Sequence, residues 1–193
     1  MRKVFHCALA LTVAVLALSS CGKDTPGLTR EQEREVIERV SGTYHGKLYS
    51  FLHEEGKDEA LMDSVYVTVT VKADQTYEIG NFPLGHLADE LRDYPSIQES
   101  LRGKGGASVS GNYYATGLPS YFRPQSASFP IEYEGENVDL DLVWTYTTSG
   151  ELVPMTGNGK GLQLILIAGG VHVGEGISYQ IPLGKLQYFF ISE

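Results

Sequence analysis

The segment that decides the fold reads VYVTVTV over residues 65–71. Its valines alternate with Tyr66, Thr68 and Thr70, which is the period-two pattern of a strand with one buried and one exposed face. Residues 126–147, SASFPIEYEGENVDLDLVWTYT, show the same alternation on both sides of a polar turn. The two segments therefore predict strands joined into antiparallel hairpins.

Other segments with strand character bring the total to roughly eight, mostly joined by short turns. We predict a mainly β fold, a single antiparallel β-barrel or sandwich. Gly46-Lys47-Leu48 recurs as Gly184-Lys185-Leu186 at two strand starts. If the first and last strands are neighbours, they close a barrel and remove its exposed edges.

Two helical segments interrupt this β pattern. Thr29 is a suitable N-cap for a polar N-terminal helix, because the acids at 31 and 33 then fall in the first turn. Leucines at helical spacing predict a short helical insertion near residues 84–102. Pro95 lies inside that stretch, so we expect two short helices in place of one.

Residues 1–20 have the form of a secretory leader. Arg2 and Lys3 precede a mainly apolar run of 15 residues, 4–18, which is shorter than the roughly 20 that a membrane span needs. Leu18-Ser19-Ser20-Cys21 follows and resembles the lipobox of bacterial lipoproteins. That resemblance implies a cleaved signal peptide (residues 1–20), palmitate-type acyl chains on Cys21 as a membrane anchor, a tether (21–27) and a single β-rich domain (28–193).

The residues after Cys21 bear on location. Gly22 follows the cysteine, and in many Gram-negative bacteria the absence of Asp at that position favours transport to the outer membrane. Lys23-Asp24 resembles a fragment of the export signal on surface lipoproteins of the Bacteroidetes. We therefore expect an outer-membrane lipoprotein, on either the periplasmic face or the cell surface.

Charge and cysteine content exclude several functions. The chain has 15 Lys+Arg and 24 Asp+Glu, so its net charge is −9, and without residues 1–20 it becomes 13 − 24 = −11. This charge argues against a nucleic-acid partner, which needs clustered cations. Cys7 lies in the leader and Cys21 is assigned to lipid, so the domain has neither a disulfide nor cysteine chemistry. No cofactor or metal site is predicted.

The sequence has no recognisable catalytic motif, and we expect a protein that is not an enzyme. The best acid–base candidates are His172 and Glu175, which lie among four glycines at 169, 170, 174 and 176. An imidazole beside a carboxylate suits a hydrolase. The alternative is a glycine-rich hairpin whose polar side chains face water.

An aromatic loop is the predicted ligand-binding segment. Tyr113, Tyr114, Tyr121, Phe122 and Arg123 bracket residues 116–120. Tyrosine and arginine combine apolar area with hydrogen-bond donors, so they are enriched where proteins hold ligands or partners. In the alternative interpretation Tyr113 and Phe122 belong to the core, and the other three side chains cover a barrel end.

The lipobox, the polar leading helix and the strand entry Gly42-Thr43-Tyr44 together resemble small lipoproteins of unknown function from Bacteroidetes, some with lipocalin-like (calycin-type) barrels. The entry is similar to the Gly-x-Trp that opens a lipocalin's first strand, with Tyr44 in place of Trp. The resemblance implies a barrel and brings no catalytic residues.

Two functions remain open. The first is a lipid-anchored binding module for a small apolar or glycan ligand, which predicts an interior cavity. The second is a structural or interaction subunit of an outer-membrane or surface complex. It predicts a filled core and an exposed apolar patch near Tyr121 and Phe122.

Overall fold

The computed structural model describes residues 28–53, 56, 60–104, 106–116, 121–154, 160–174 and 176–193. The predicted leader, Cys21 and the tether lie outside the described residues. In chain order the elements are α1 (Arg30–Val40), β1 (Gly42–Leu52), β2 (Ala60–Val71), β3 (Thr76–Pro83), α2 (Gly85–Glu90), α3 (Pro95–Lys104), β4 (Gly106–Ala115), β5 (Phe122–Tyr133), β6 (Glu136–Trp144), β7 (Ser149–Pro154), β8 (Lys160–Val173), β9 (Ile177–Gln180) and β10 (Leu186–Ser192).

The strands form a closed antiparallel barrel. Neighbours in sequence pair from β1 to β6, β6 pairs with β8, β8 with β10, and β10 with β1. Leu48 opposes Phe190 in the closing pair, so the first and last strands are neighbours and meet the condition for a closed barrel. The barrel prediction is confirmed, and the sandwich alternative is excluded.

The ten described strands form an eight-stranded barrel because two of the eight strand positions are each occupied by two short consecutive strands. Strand β6 pairs with the C-terminal half of β8 and β7 with its N-terminal half. Thr145 N donates to Ile167 O between them, so β6 and β7 follow the same edge of β8. Strands β9 and β10 follow the other edge, and Ile181 N bonds Gly169 O at their junction.

Helix α1 lies at the end of the barrel where β1 begins, here called the α1 end. It starts as predicted, because Thr29 and Gln32 form a reciprocal capping box. Gln75, in the β2–β3 turn, donates to Glu33 at 2.9 Å and joins the helix to the barrel. Val40 is fully buried, and Tyr44 Oη donates to its carbonyl at 2.8 Å.

Helices α2 and α3 lie at the opposite end, here called the α2–α3 end. They connect the end of β3 to the start of β4, and α3 begins at Pro95, where a missing N–H is tolerated. The predicted division of this insertion into two helices is confirmed. Their apolar side chains join the barrel core and are fully buried: Leu84, Leu87, Ala88, Leu91, Ile97 and Leu101.

Aromatic rings fill the barrel between its two ends. Phe82 and Tyr188 have ring centroids 4.6 Å apart, and Trp144 lies 6.1 and 6.4 Å from them. Trp144 Nε1 donates to Tyr77 Oη at 2.7 Å, and that hydroxyl donates to Gln125 O at 2.8 Å. The described interior is thus packed with side chains, as in small barrels generally.

Candidate functional site

The structure separates the five residues of the predicted aromatic loop into two groups. Tyr113 and Phe122 are 2% and 1% exposed, and their ring centroids lie 5.0 Å apart. Tyr113 Oη donates to Lys72 O at 2.8 Å, and burial raises the pKa of this phenol. These two side chains belong to the core, as the alternative interpretation expected.

The other three loop residues lie at the surface. The Arg123 guanidinium lies 5.7 Å from the ring centroid of Tyr114, and that of Arg39 lies 5.9 Å from Tyr121. Both distances allow cation–π attraction. Residues 117–120 lie outside the described residues. A ligand-binding role for Tyr114, Tyr121 and Arg123 therefore stays a prediction.

The predicted acid–base pair is only partly described. His172 is exposed on the outer face of β8, opposite Asp141 on β6 and Ser178 on β9. No hydrogen bond joins it to either side chain among the described residues; Asp141 instead accepts one from Ser128. Glu175 lies outside the described residues.

A groove runs over the outer faces of β1, β2 and β3. We name it the Tyr66 groove; its volume is about 440 Å³ and its walls include His45, Gly46, Tyr66, Thr68, Gly80 and Asn81. Small-molecule sites typically measure roughly 300–1,000 Å³. Sequence reasoning missed this groove, although Tyr66 is a large ring on the otherwise threonine-rich face of the VYVTVTV segment.

A second outer cleft adjoins the groove. The His86 cleft, of about 280 Å³, is lined by Asp63, Val65, Asn81, Pro83, Gly85, His86 and Gly106. Asn81 lines both spaces, so the two adjoin at this residue.

A third cleft, of about 590 Å³, lies between α3 and the β5–β6 turn. Glu99, Glu132 and Glu134 contribute to its walls, together with Lys104. In the described part of the chain no group of three His, Cys, Asp or Glu side chains is arranged to hold a metal ion. This cleft therefore remains an acidic surface without an assigned ligand.

Apolar side chains also cover part of the outer barrel wall. The outer apolar patch, as we call it, consists of Tyr49, Phe51, Leu61, Ile165, Ile167, Phe189 and Ile191. Tyr49, Phe189 and Ile165 lie side by side on β1, β10 and β8, and Phe51 faces Leu61 on β2. Strands β1 and β10 and residues 160–167 contain no acid, in a chain with 24 Asp+Glu.

Polar groups are buried together at the α2–α3 end. Glu90, whose side chain is 5% exposed, forms an ion pair with Lys185 at 2.6 Å. Ser50 and Tyr188 oppose each other on β1 and β10, and neither hydroxyl has a hydrogen-bond partner among the described residues. Burial, followed by the charge of Glu90, raises the pKa of Tyr188.

Fold and surface together define a class of protein, an eight-stranded antiparallel β-barrel whose described interior is packed with side chains, with helices at both ends and clefts on its outer surface. None of the described helices is long and apolar enough to cross a membrane.

The chain belongs to the family of a domain of unknown function, DUF4840, whose model matches residues 39–173. The match runs from the end of α1 to the end of β8, and it leaves the closing strand β10 outside. No curated protein and no solved structure matches the chain.

Proposed function

We propose that this domain is a non-catalytic binding module, held at the cell envelope by a lipidated Cys21, that takes a glycan on the outside of its barrel. The observation that carries the proposal is the filled interior. Tyr77, Phe82, Trp144 and Tyr188 occupy the centre, and buried leucines of the α2–α3 insertion occupy one end. The described clefts with room for a ligand open on the outer surface.

The walls of these clefts favour a glycan over a small apolar ligand. An apolar ligand is held mainly by hydrophobic walls that remove most of its surface from water. The outer clefts are open to solvent and cannot enclose such a ligand, and their partly apolar walls also carry imidazole, amide and hydroxyl groups, for example those of His45, Asn81 and Thr68. Such groups match the hydroxyls of a sugar, which both donate and accept hydrogen bonds.

The proposed non-catalytic role is tested at His172. A general base must lie within hydrogen-bond reach of the group that it deprotonates and needs a partner that orients it. His172 is exposed and has no hydrogen bond to Asp141 or Ser178 in the described part of the chain. We expect His172→Ala to leave ligand affinity unchanged.

The proposed anchor is tested by metabolic labelling. The full chain is expressed in a Gram-negative host that is fed an alkyne analogue of palmitate. We expect the label on the wild-type protein and its loss in Cys21→Ser, because acyl transfer needs the thiol. Equal labelling of both proteins would contradict the lipobox assignment.

The proposed binding is tested on the anchored protein in lipid nanodiscs by two titrations. We expect calorimetry to show saturable binding of the delipidated envelope polysaccharide. The fluorescence of Trp144 should change little, because this ligand binds outside the barrel. Palmitate serves as the apolar probe and is expected to leave the fluorescence of Trp144 unchanged, with empty nanodiscs as the reference for its partition into lipid. A saturable palmitate effect on Trp144 would show an interior site, and absence of polysaccharide binding would overturn the proposal.

A second candidate function is that of an interaction subunit, and the outer apolar patch favours it. Contiguous exposed apolar surface marks an interaction site on a soluble domain. Because the patch lacks acids while the chain carries a net charge of −9, we expect a partner protein with an apolar face. A photo-crosslinking residue at Phe189 should then capture one envelope protein, and the same residue at Tyr146, 73% exposed and outside the patch, should not.

A further inference from the structure

The Tyr66 groove exists because of an irregularity in β3. The register between β3 and β4 shifts between Ile79 and Phe82, and Asn81 adopts a left-handed backbone with φ of 59°. Gly80 lies opposite Thr68 and contributes no side chain to the outer face. A Cβ at Gly80 would find its nearest neighbour, Thr68 O, at 3.8 Å, so a larger side chain fits there and fills the groove.

Tyr66 forms an exposed aromatic platform beside this groove. Its side chain is 63% exposed, although aromatic rings are usually covered in a folded domain. Lys47, its neighbour on β1, holds its ammonium 5.1 Å from the ring centroid. Lys47 thus contacts the ring on the side of β1. The groove lies on the opposite side, toward β3, where Gly80 and Asn81 form part of its wall.

Polar groups beside the ring retain free hydrogen-bonding capacity. His45 Nδ1 lies 3.1 Å from Thr68 Oγ1, so its Nε2 remains for another partner. Asn81 Nδ2 donates to Tyr66 O at 3.0 Å, which orients the amide so that its acceptor Oδ1 lies toward Gly106, on the side of the His86 cleft. One aromatic face with fixed donors and acceptors around it matches a pyranose ring, whose C–H faces are weakly positive and whose hydroxyls lie at the rim.

The charge of the surroundings selects a neutral ligand. Among the described residues, no carboxylate lines the groove, and Lys47 is engaged with the Tyr66 ring. The net charge of −9 on the whole chain disfavours a polyanion. The adjoining His86 cleft shares Asn81, which gives room for a chain longer than one sugar.

We propose that the Tyr66 groove binds a neutral glycan, with one pyranose ring stacked on Tyr66 and hydrogen-bonded to His45 and Asn81. This inference rests on the proposed function, of which it names the site and the ligand chemistry. Two substitutions test the inference, one by removing a contact group and the other by filling the space. Tyr66→Ala removes the platform, whereas Gly80→Val leaves every contact group in place and fills the groove.

The experiment measures binding of the purified full chain, in nanodiscs, to an array of neutral oligosaccharides built from mannose, glucose, galactose and N-acetylglucosamine, with heparin fragments as the charged comparison. We expect binding to at least one neutral glycan and weakening by about tenfold or more in Tyr66→Ala, since a central aromatic contact typically dominates such a site. Gly80→Val should weaken it equally. The matched control Tyr146→Ala, an exposed tyrosine outside the groove, should stay within about twofold of wild type.

Three results would overturn the inference: binding to no neutral glycan, binding to heparin fragments alone, or equal binding by the wild type and Tyr66→Ala. Each variant's circular dichroism confirms that it is folded before binding is measured. If Tyr66→Ala still binds envelope polysaccharide, the site is wrong while the proposed function stands. If the wild type binds neither polysaccharide nor array, both fail.

Discussion

Two buried tyrosines differ in the hydrogen bonding of their hydroxyl groups, and a pair of Tyr→Phe substitutions can measure this difference. Tyr77 and Tyr188 are 1% and 0% exposed, and both lie inside the barrel. Tyr77 Oη accepts from Trp144 Nε1 at 2.7 Å and donates to Gln125 O at 2.8 Å. Tyr188 Oη has no hydrogen-bond partner among the described residues. Replacing each by Phe removes one oxygen atom at nearly constant volume.

The expected magnitudes follow from these partners. Tyr77→Phe leaves the indole N–H of Trp144 buried and unpaired, which costs about 1–3 kcal/mol, and also removes a bond worth about 0.5–1.5 kcal/mol. We expect the free energy of unfolding to fall by about 2–4 kcal/mol. At roughly 2–4 °C per kcal/mol for a chain of this size, the Tm falls by roughly 4–16 °C. Tyr188→Phe should stay within about 1 kcal/mol of wild type, or stabilise, because it removes a desolvated hydroxyl.

Urea unfolding of the full chain measures both effects. The chain has one tryptophan, and it is Trp144, so its fluorescence reports the barrel interior while circular dichroism reports the sheet. Equal losses in the two variants would show that the Tyr188 hydroxyl is bonded in solution and would refute the reasoning. So would a Tyr77→Phe protein within about 0.5 kcal/mol of wild type.

Three further outcomes are expected. Burial raises the pKa of both tyrosines above 10, so stability should hold to about pH 10 and then fall, because the unfolded chain releases those protons first; tyrosinate absorbance that titrates fully near pH 10 in the folded protein would contradict this. Lys185→Met leaves the Glu90 carboxylate, 5% exposed, without its cation and should cost about 3–5 kcal/mol in urea unfolding. Glu90→Gln should cost less, since Lys185 is 33% exposed and reaches water, and equal losses would argue against a buried pair. Gly150→Ala places a Cβ against the Phe122 ring, and this overpacking should lower the free energy of unfolding by about 1–3 kcal/mol. Gly103→Ala, in α3 with open space around it, is the control and should stabilise by up to about 1 kcal/mol.

Much of the fold was predictable because its signals are local. Alternating valines over 65–71 predicted a strand, and Thr29 predicted a helix start, since side-chain periodicity and capping depend only on neighbouring residues. Pro95 correctly marked the division of the helical insertion. The sharing of one strand position by β6 and β7, and of another by β9 and β10, was not predicted, because it depends on which strands β8 pairs with on each edge.

The candidate site was less predictable. Tyr113 and Phe122 have the composition of a binding loop, yet they pack on each other in the core. Composition alone cannot tell a buried ring from an exposed one when both occur within a few residues. The Tyr66 groove forms where the bulge at Asn81 on β3 lies beside the Tyr66 ring on β2. These two residues are 15 positions apart in the sequence.

By itself, the sequence determined the strand and helix types, the mainly β fold class and the lack of any cysteine in residues 28–193, because each depends on periodicity, capping or residue identity. The tertiary structure alone decided which aromatic rings fill the interior and which lie outside. It also decided that Glu90 meets Lys185, 95 positions further along the chain. These are long-range contacts, and only closure of the barrel through β1 and β10 brings their partners together.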